Sequence, residues 1–432
     1  MQFPPGRLSR RQLLTAAAGL GLAATIGPMA GCSRNVSISA DPAELVLWYW
    51  NRSISPQLLT QAAAQIPDTA KRLRADVIGG AFDTKLRTSL AGKAYIPDIT
   101  AVNSNCALYF TNEDLFVDLN TLGAERFKDD FFGWKWQLGT TPTGRFCFWP
   151  MDTGPTGLYY RSDLFETTGL PTDPDEVGES IRTWEQLIEL GAKLRADSDV
   201  ALIANATMIF TQYLNASPER YFDARDRPLY SAPGSAVRKA WDTAVAAIQG
   251  KVTGNLQIAT DQNSGWVAGK VAGHIEAVWW AEILADTAPD TKGKWRLANQ
   301  PDRPGNSGGS FLAVPATCKD PEAAFAFLSW LTTPQNQAAT FNDVQLFPST
   351  PASFTGGQMK SESGFFGPQD PLTFFARAAE AVPTTFVSTY ESQTTAFATE
   401  LANVEAGGKD PEQAWDEAVT ETDKILAKRG VL

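Results

Sequence analysis

The chain has 432 residues, 20% of them charged, with 37 lysines and arginines against 48 acids and a formal net charge of −11. Such a surface is a poor partner for nucleic acid or anionic lipid. With His274 as the single histidine, a zinc centre or a Ser-His-Asp triad lacks convergent groups, so neither a metal nor a cofactor is expected.

At the start of the chain Arg7, Arg10 and Arg11 precede a modest apolar run over 13–29, interrupted by Gly19, Gly21, Gly27 and Pro28 and free of acids. It falls short of the roughly 20 strongly apolar residues of a membrane span and reads as an export signal over 1–31. Ser9-Arg10-Arg11-Gln12-Leu13-Leu14 resembles the twin-arginine export pattern, and Met29-Ala30-Gly31-Cys32 resembles a lipobox, which implies lipidation at Cys32. Removing the three arginines takes Lys+Arg from 37 to 34 against 48 acids and the net charge from −11 to −14, so membrane attachment is expected through lipid alone. Cys106, Cys147 and Cys318 remain. A bridge between Cys106 and Cys147 is conceivable in an oxidising compartment, but no spacing marks a disulfide framework or a zinc site.

Beyond a polar tether over 32–43, strand-length apolar runs alternate with helical periods, the signature of an α/β chain. The pattern predicts strands over 45–49, 75–78 and 97–102, with helices over 55–74, 82–91 and 107–113, as a parallel βαβ series. Around 146 the texture changes. Arg145-Phe146-Cys147-Phe148-Trp149-Pro150 leads through a Gly- and Pro-rich turn to a strand over 157–160, a suitable place for a crossing between lobes. Thr183 and Gln186 form a capping-box pair that opens a helix. Further helices are expected over 235–249, 322–331, 371–381 and 411–427.

Several segments then occur in one characteristic order: Pro97-Asp98-Ile99, Leu115-Phe116-Val117-Asp118-Leu119, Trp149-Pro150-Met151-Asp152, Leu158-Tyr159-Tyr160 and Thr183-Trp184-Glu185-Gln186-Leu187. Downstream come Gly269-Lys270-Val271-Ala272-Gly273-His274-Ile275 ending in Trp279-Trp280, then Gly308-Gly309-Ser310-Phe311-Leu312 and the run over 322–331. This succession resembles the extracellular solute-binding proteins of ABC sugar importers, the family that includes maltose-binding protein. Gly273 stands where that family usually has methionine, and Arg161 where it often has asparagine. The resemblance implies an α/β, two-lobed periplasmic-binding-protein-like fold with a ligand cleft between the lobes. Lobe 1 is expected over 44–151 plus 312–347, and lobe 2 over 152–311 plus 348–432. It also implies a carbohydrate ligand, ABC permease transmembrane subunits as partners, and a non-catalytic, lipid-anchored, extracytoplasmic protein, expected to be a monomer.

Sugar capture needs flat apolar faces for the C–H surface of a pyranose and planar polar groups for its hydroxyls. Trp50, Asn51, Asn103, Asn105, Asp152, Trp279, Trp280, Gly309 and Ser310 offer both, and most lie just beyond strand ends, where α/β sheets place ligands. Trp279 falls on the family's stacking position. Trp48, Trp149 and Trp184 read as core, His274 as structural, and Asn103 and Asn105 have turn formation as their alternative. The acidic balance favours a neutral or amino sugar, although the family also binds glycerophosphodiesters. A secreted carbohydrate-active enzyme built on paired carboxylates, or an adhesive surface lipoprotein, remain as competing readings.

Overall fold

The computed structural model describes residues 38–62, 64, 71–360 and 364–432. Residues 1–31, where an export leader is expected, and Cys32, the expected site of lipidation, lie outside the described residues.

Two sheets organise the chain. The first is five-stranded in the order β2-β1-β3-β8-β4, built from β1 (Glu44–Tyr49), β2 (Arg72–Val77), β3 (Ile99–Val102), β4 (Trp149–Pro150) and β8 (Phe311–Ala313). β1 pairs in parallel with both β2 and β3, while β8 runs antiparallel to β3 and β4. The near-continuous apolar run of β1 is that of a central strand covered on both faces, and residues Leu45 to Tyr49 are all buried. The second sheet is three-stranded and antiparallel, in the order β6-β5-β7, from β5 (Thr156–Arg161), β6 (Gly273–Ala277) and β7 (Trp295–Ala298).

Each sheet has its own core. The first buries Trp48 and Trp149, whose indole donates to Thr332 Oγ1 at 2.7 Å. The second buries Trp184, Trp241, Phe397 and Trp415 between helices that include Trp184–Asp197, Ala236–Gln249 and Pro411–Ala427. The Thr183 capping box forms, with its hydroxyl accepting from Gln186 N and the Gln186 side chain accepting from Thr183 N. This is the two-lobed α/β architecture. The three thiols Cys106, Cys147 and Cys318 are free, and Cys106 Sγ donates to Leu138 O at 3.3 Å instead of bridging to Cys147.

Three expected elements are corrected. The helix over 55–74 is described only as Pro56–Ala62, and the strand expected from 75 starts at Arg72. β2 is an edge strand, so it carries charge instead of a clean apolar run: Arg72 pairs with Asp41, and Arg74 with Glu44 and Asp76. The helix over 107–113 is a 3₁₀ segment, Cys106–Leu115, broken where Asn112 takes φ −129° and ψ 39°. Among the described residues no helix is long and apolar enough to cross a membrane.

Three segments cross between the sheets side by side: β4 to β5, β7 to β8, and the stretch around Phe347 and Pro348. Thr153 N donates to Phe347 O at 2.8 Å, Met151 N to Ser310 O at 3.1 Å and Ser307 N to Gly154 O at 2.8 Å. A hydrogen-bonded strap of this kind holds the lobes in register while leaving few torsions to bend.

Candidate ligand-binding cleft

Two cavities open beside this strap. The smaller, about 600 Å³, is lined from the first sheet's side by Trp50, Phe82, Asp83 and Asn103, and from the second sheet's side by Trp279, with Gly308, Gly309 and Ser310 at its floor. The larger, about 780 Å³, lies between the 104–110 and 137–144 segments on one side and 215–224 and 382–392 on the other. Gly308 lines both, so the two are neighbouring compartments of one cleft.

Their placement follows from topology. β1 and β3 end at Tyr49 and Val102, so the residues just beyond, Trp50 and Asn103, stand at carboxyl ends of parallel strands, where the peptide leaves the sheet and side chains turn into the crevice. Trp50 is half-buried and meets Phe82 edge-on, with ring centroids 5.0 Å apart. Asp83 sits in the first turn of the helix Phe82–Gly92, close to the positive end of its dipole, and accepts from Asn105 Nδ2 at 3.3 Å. Trp279 follows β6 and keeps 38% of its surface exposed, unusually high for tryptophan, with its Nε1 donating to Ser307 O at 3.0 Å. That bond fixes the indole plane while leaving a face free. Arg52 reaches from the end of β1 to pair with Glu282 on the helix Trp280–Thr287, joining the two sides at this compartment.

Gly309, at φ 78°, accommodates the tight floor: a Cβ there would stand 2.9 Å from Asp152 O and 3.1 Å from Lys135 Nζ. Beneath it Asp152 is buried, accepting from Ser310 N at 2.7 Å, and burial raises its pKa against the opposing pull of Lys135 and that N–H. Lys135 is fully buried, its ammonium 3.5 Å from the centre of the Phe311 ring, and burial pushes it down to about 8 even though Asp152 and Cys106 act to raise it.

Of the residues singled out in the sequence, Trp50, Asn103, Trp279, Gly309 and Ser310 meet in the smaller compartment, and Asn105 lines the larger. Three do not line either. Asn51 is exposed outside the cavities. Asp152 lies under the floor, where its carboxylate anchors the Ser310 backbone. Trp280 is only 4% exposed and packs among Tyr159, Trp266, His274 and Trp295, because a helix starting at residue 280 turns it away from its neighbour Trp279. The sequence reading missed Phe82, Asp83, Arg220 and Glu391. Asp83 carried a usable signal, since it opens the helix after β2.

The arrangement presents an apolar indole face opposite a carboxylate and an amide, and it suits a polyhydroxylated ring. Among the described residues no group of three or more His, Cys, Asp or Glu side chains is placed to hold a metal ion.

Residues 75–338 match the bacterial extracellular solute-binding protein family. The lactose-binding protein of Rhizobium radiobacter is 27% identical over 312 residues, 68% of this chain and 71% of the relative. A solved structure of an extracellular solute-binding protein of family 1 superposes with a TM-score of 0.84 at 27% identity, covering 89% of this chain and 99% of that one. The galacto-N-biose/lacto-N-biose I-binding protein of Bifidobacterium longum, solved with lacto-N-biose, shares the fold with a TM-score of 0.72 at 21% identity, over 90% of this chain and 98% of that one.

Proposed function

The chain belongs to the bacterial extracellular solute-binding protein family, and we propose that it captures a carbohydrate in the cleft between its two sheets and delivers it to the transmembrane subunits of an ABC importer. The carrying observation is the smaller compartment, where the free face of Trp279 opposes Asp83, Asn103 and Trp50 across a space of about 600 Å³, inside the roughly 300–1,000 Å³ typical of small-molecule sites. Trp279 stacks on the C–H face of a pyranose, and Asp83 and Asn103 take the hydroxyls at its edge. Trp50, Ser310 and the Gly309 backbone complete the wall, and Asn105 serves the neighbouring compartment.

The family is extracellular, so the site works outside the cytoplasm. The finer reading is a monomer held at the membrane by lipid on Cys32 after removal of 1–31, acting by capture and not by catalysis. Glycoside hydrolysis calls for two carboxyl groups flanking one bond, whereas Asp83 is the one carboxylate among the described residues lining the smaller compartment. A neutral or amino sugar is favoured over an anionic one, since Asp83 opposes an anion and Glu282 is already paired with Arg52.

A thermal-shift screen against a glycan panel, with each mixture analysed for products, tests this reading. Stabilisation by a saccharide that is recovered intact supports it, because a ligand bound to the native state alone raises stability by mass action. Accumulating product, or no saccharide that stabilises, contradicts it.

A further inference from the structure

Trp279 keeps an open face, so close packing alone does not set the plane of its ring. It meets no other aromatic ring among the described residues, and its indole makes its one possible hydrogen bond, Nε1 to Ser307 O at 3.0 Å. The direction of the indole therefore follows the direction of the Ser307 carbonyl. Ser307 lies in the β7-to-β8 crossing beside Asn306, whose side-chain amide is engaged by main chain at both of its polar atoms. Asn306 Oδ1 accepts from Gly154 N at 2.9 Å, on the β4-to-β5 crossing, and Asn306 Nδ2 donates to Gly308 O at 2.9 Å, bridging over Ser307. The bond from Ser307 N to Gly154 O, at 2.8 Å, completes a clasp between the two crossings. The fit is close on both sides of Ser307. A Cβ on Gly154 would stand 2.0 Å from Ser307 O, and one on Gly308 would stand 3.3 Å from Trp279 Nε1. Alanine at position 306 would free Gly154 N and Gly308 O together. Gly308, with no side chain and φ at 91°, has the most freedom to turn once released.

We propose that Asn306 is a positioning residue for ligand capture: its amide fixes the Ser307 carbonyl, the carbonyl fixes the Trp279 indole, and the indole meets the ligand already in its stacking plane. The inference rests on the assignment of Trp279 to the ligand in the carbohydrate reading above. Asn306 reaches the wall of the larger compartment, but its role is exerted through Trp279 and not through a contact of its own with the sugar. Without the clasp the indole has to be ordered at the moment of binding, and ordering one large side chain costs about three- to tenfold in affinity.

A double-mutant cycle of Asn306→Ala and Trp279→Ala tests it, by calorimetry with the saccharide of the thermal-screen panel, lactose and maltose included, that binds the wild type most tightly. Asn306→Ala is expected to raise Kd about three- to tenfold in the wild type, and less than about twofold once Trp279 is already alanine. The free protein, labelled with ¹⁵N-tryptophan, supplies a second readout. The indole N–H resonance that vanishes in Trp279→Ala is expected to shift upfield and exchange faster with water in Asn306→Ala, while those of the buried Trp149 and Trp184 stay in place. A general loss of fold moves all three. Asn306→Asp keeps an acceptor for Gly154 N and loses only the donor to Gly308 O, so it repeats the test if alanine unfolds the chain, with both changes expected in the same direction. Equal weakening with and without Trp279 overturns the inference in favour of a direct sugar contact. An unmoved Trp279 resonance, or a Kd within about twofold of the wild type, overturns it as well, and each of these leaves sugar capture standing. If Trp279→Ala itself leaves Kd unchanged, the assignment of Trp279 to the ligand fails and this inference fails with it. Failure of every saccharide in the panel to bind overturns the carbohydrate reading and this inference together.

Discussion

Replacing Trp279 with alanine removes the one indole in the smaller compartment that is both fixed and open. It keeps 38% of its surface exposed; of the roughly 150–250 Å² that a large aromatic buries when fully covered, this leaves about 60–95 Å² for a ligand. At about 25 cal/mol per Å² that area is worth about 1.5–2.4 kcal/mol as a ceiling, and an aromatic stack adds about 0.5–1.5 kcal/mol. The stack alone is worth about two- to tenfold in Kd and the full cover up to several hundredfold, so Trp279→Ala is expected to raise Kd by between about three- and several hundredfold. The free protein, by contrast, loses one half-exposed hydrogen bond, Nε1 to Ser307 O, worth about 1 kcal/mol and a Tm shift of a few degrees at most. Calorimetry with the saccharide selected by the thermal screen, alongside melting of the free protein, reads both quantities. Trp279→Phe retains a ring and is expected to recover part of the affinity. A rise in Kd below about threefold, or a large loss of Tm with affinity intact, refutes the assignment of Trp279 to the ligand and returns it to the core.

Three further outcomes are expected. Glu282→Gln weakens the Arg52–Glu282 pair across the cleft and should speed ligand release by at most about fivefold, with the difference from wild type shrinking at high salt in stopped-flow measurements; a salt-independent change would contradict it. His274 is pushed down to about 3 by burial, so below about pH 6.5 the unfolded chain binds a proton that the folded chain refuses, and stability present above that pH is lost as pH falls towards 3. Denaturant unfolding of His274→Leu between pH 7 and 4 should therefore show a shallower loss than the wild type, and identical slopes would refute the role of this imidazole. Cys32→Ala should move the protein from membrane to soluble fractions with ligand affinity unchanged, and continued membrane retention would count against lipid attachment at that residue.

Features written in local chemistry were legible in the sequence. The central strand β1 declares itself because a strand covered on both faces needs no alternation, and the Thr183 cap is complete within four residues. Trp50, Asn103 and Gly309 could be placed because the end of a parallel strand, or a glycine-rich crossing, is itself a local signal for a crevice. Other features depend on partners far along the chain. The first residues of β2, Arg72 to Arg74, read as the end of a helix because their charges answer Asp41 and Glu44 at the sheet edge. Trp279 and Trp280 are adjacent and chemically alike, and only the start of a helix between them sends one to the cleft and the other to the core. Asp152 has the right charge at the right crossing, but Ser310 N claims it. Arg220 and Glu391 are 171 positions apart and meet only in the folded chain, so no spacing rule joins them.

The most direct test of the account is a crystal structure with the tightest-binding saccharide of the thermal screen. The account predicts a pyranose ring lying flat on Trp279, its hydroxyls on Asp83 and Asn103, enclosed between the two sheets. A saccharide bound outside this cleft, or held within it with Trp279 untouched, would contradict it.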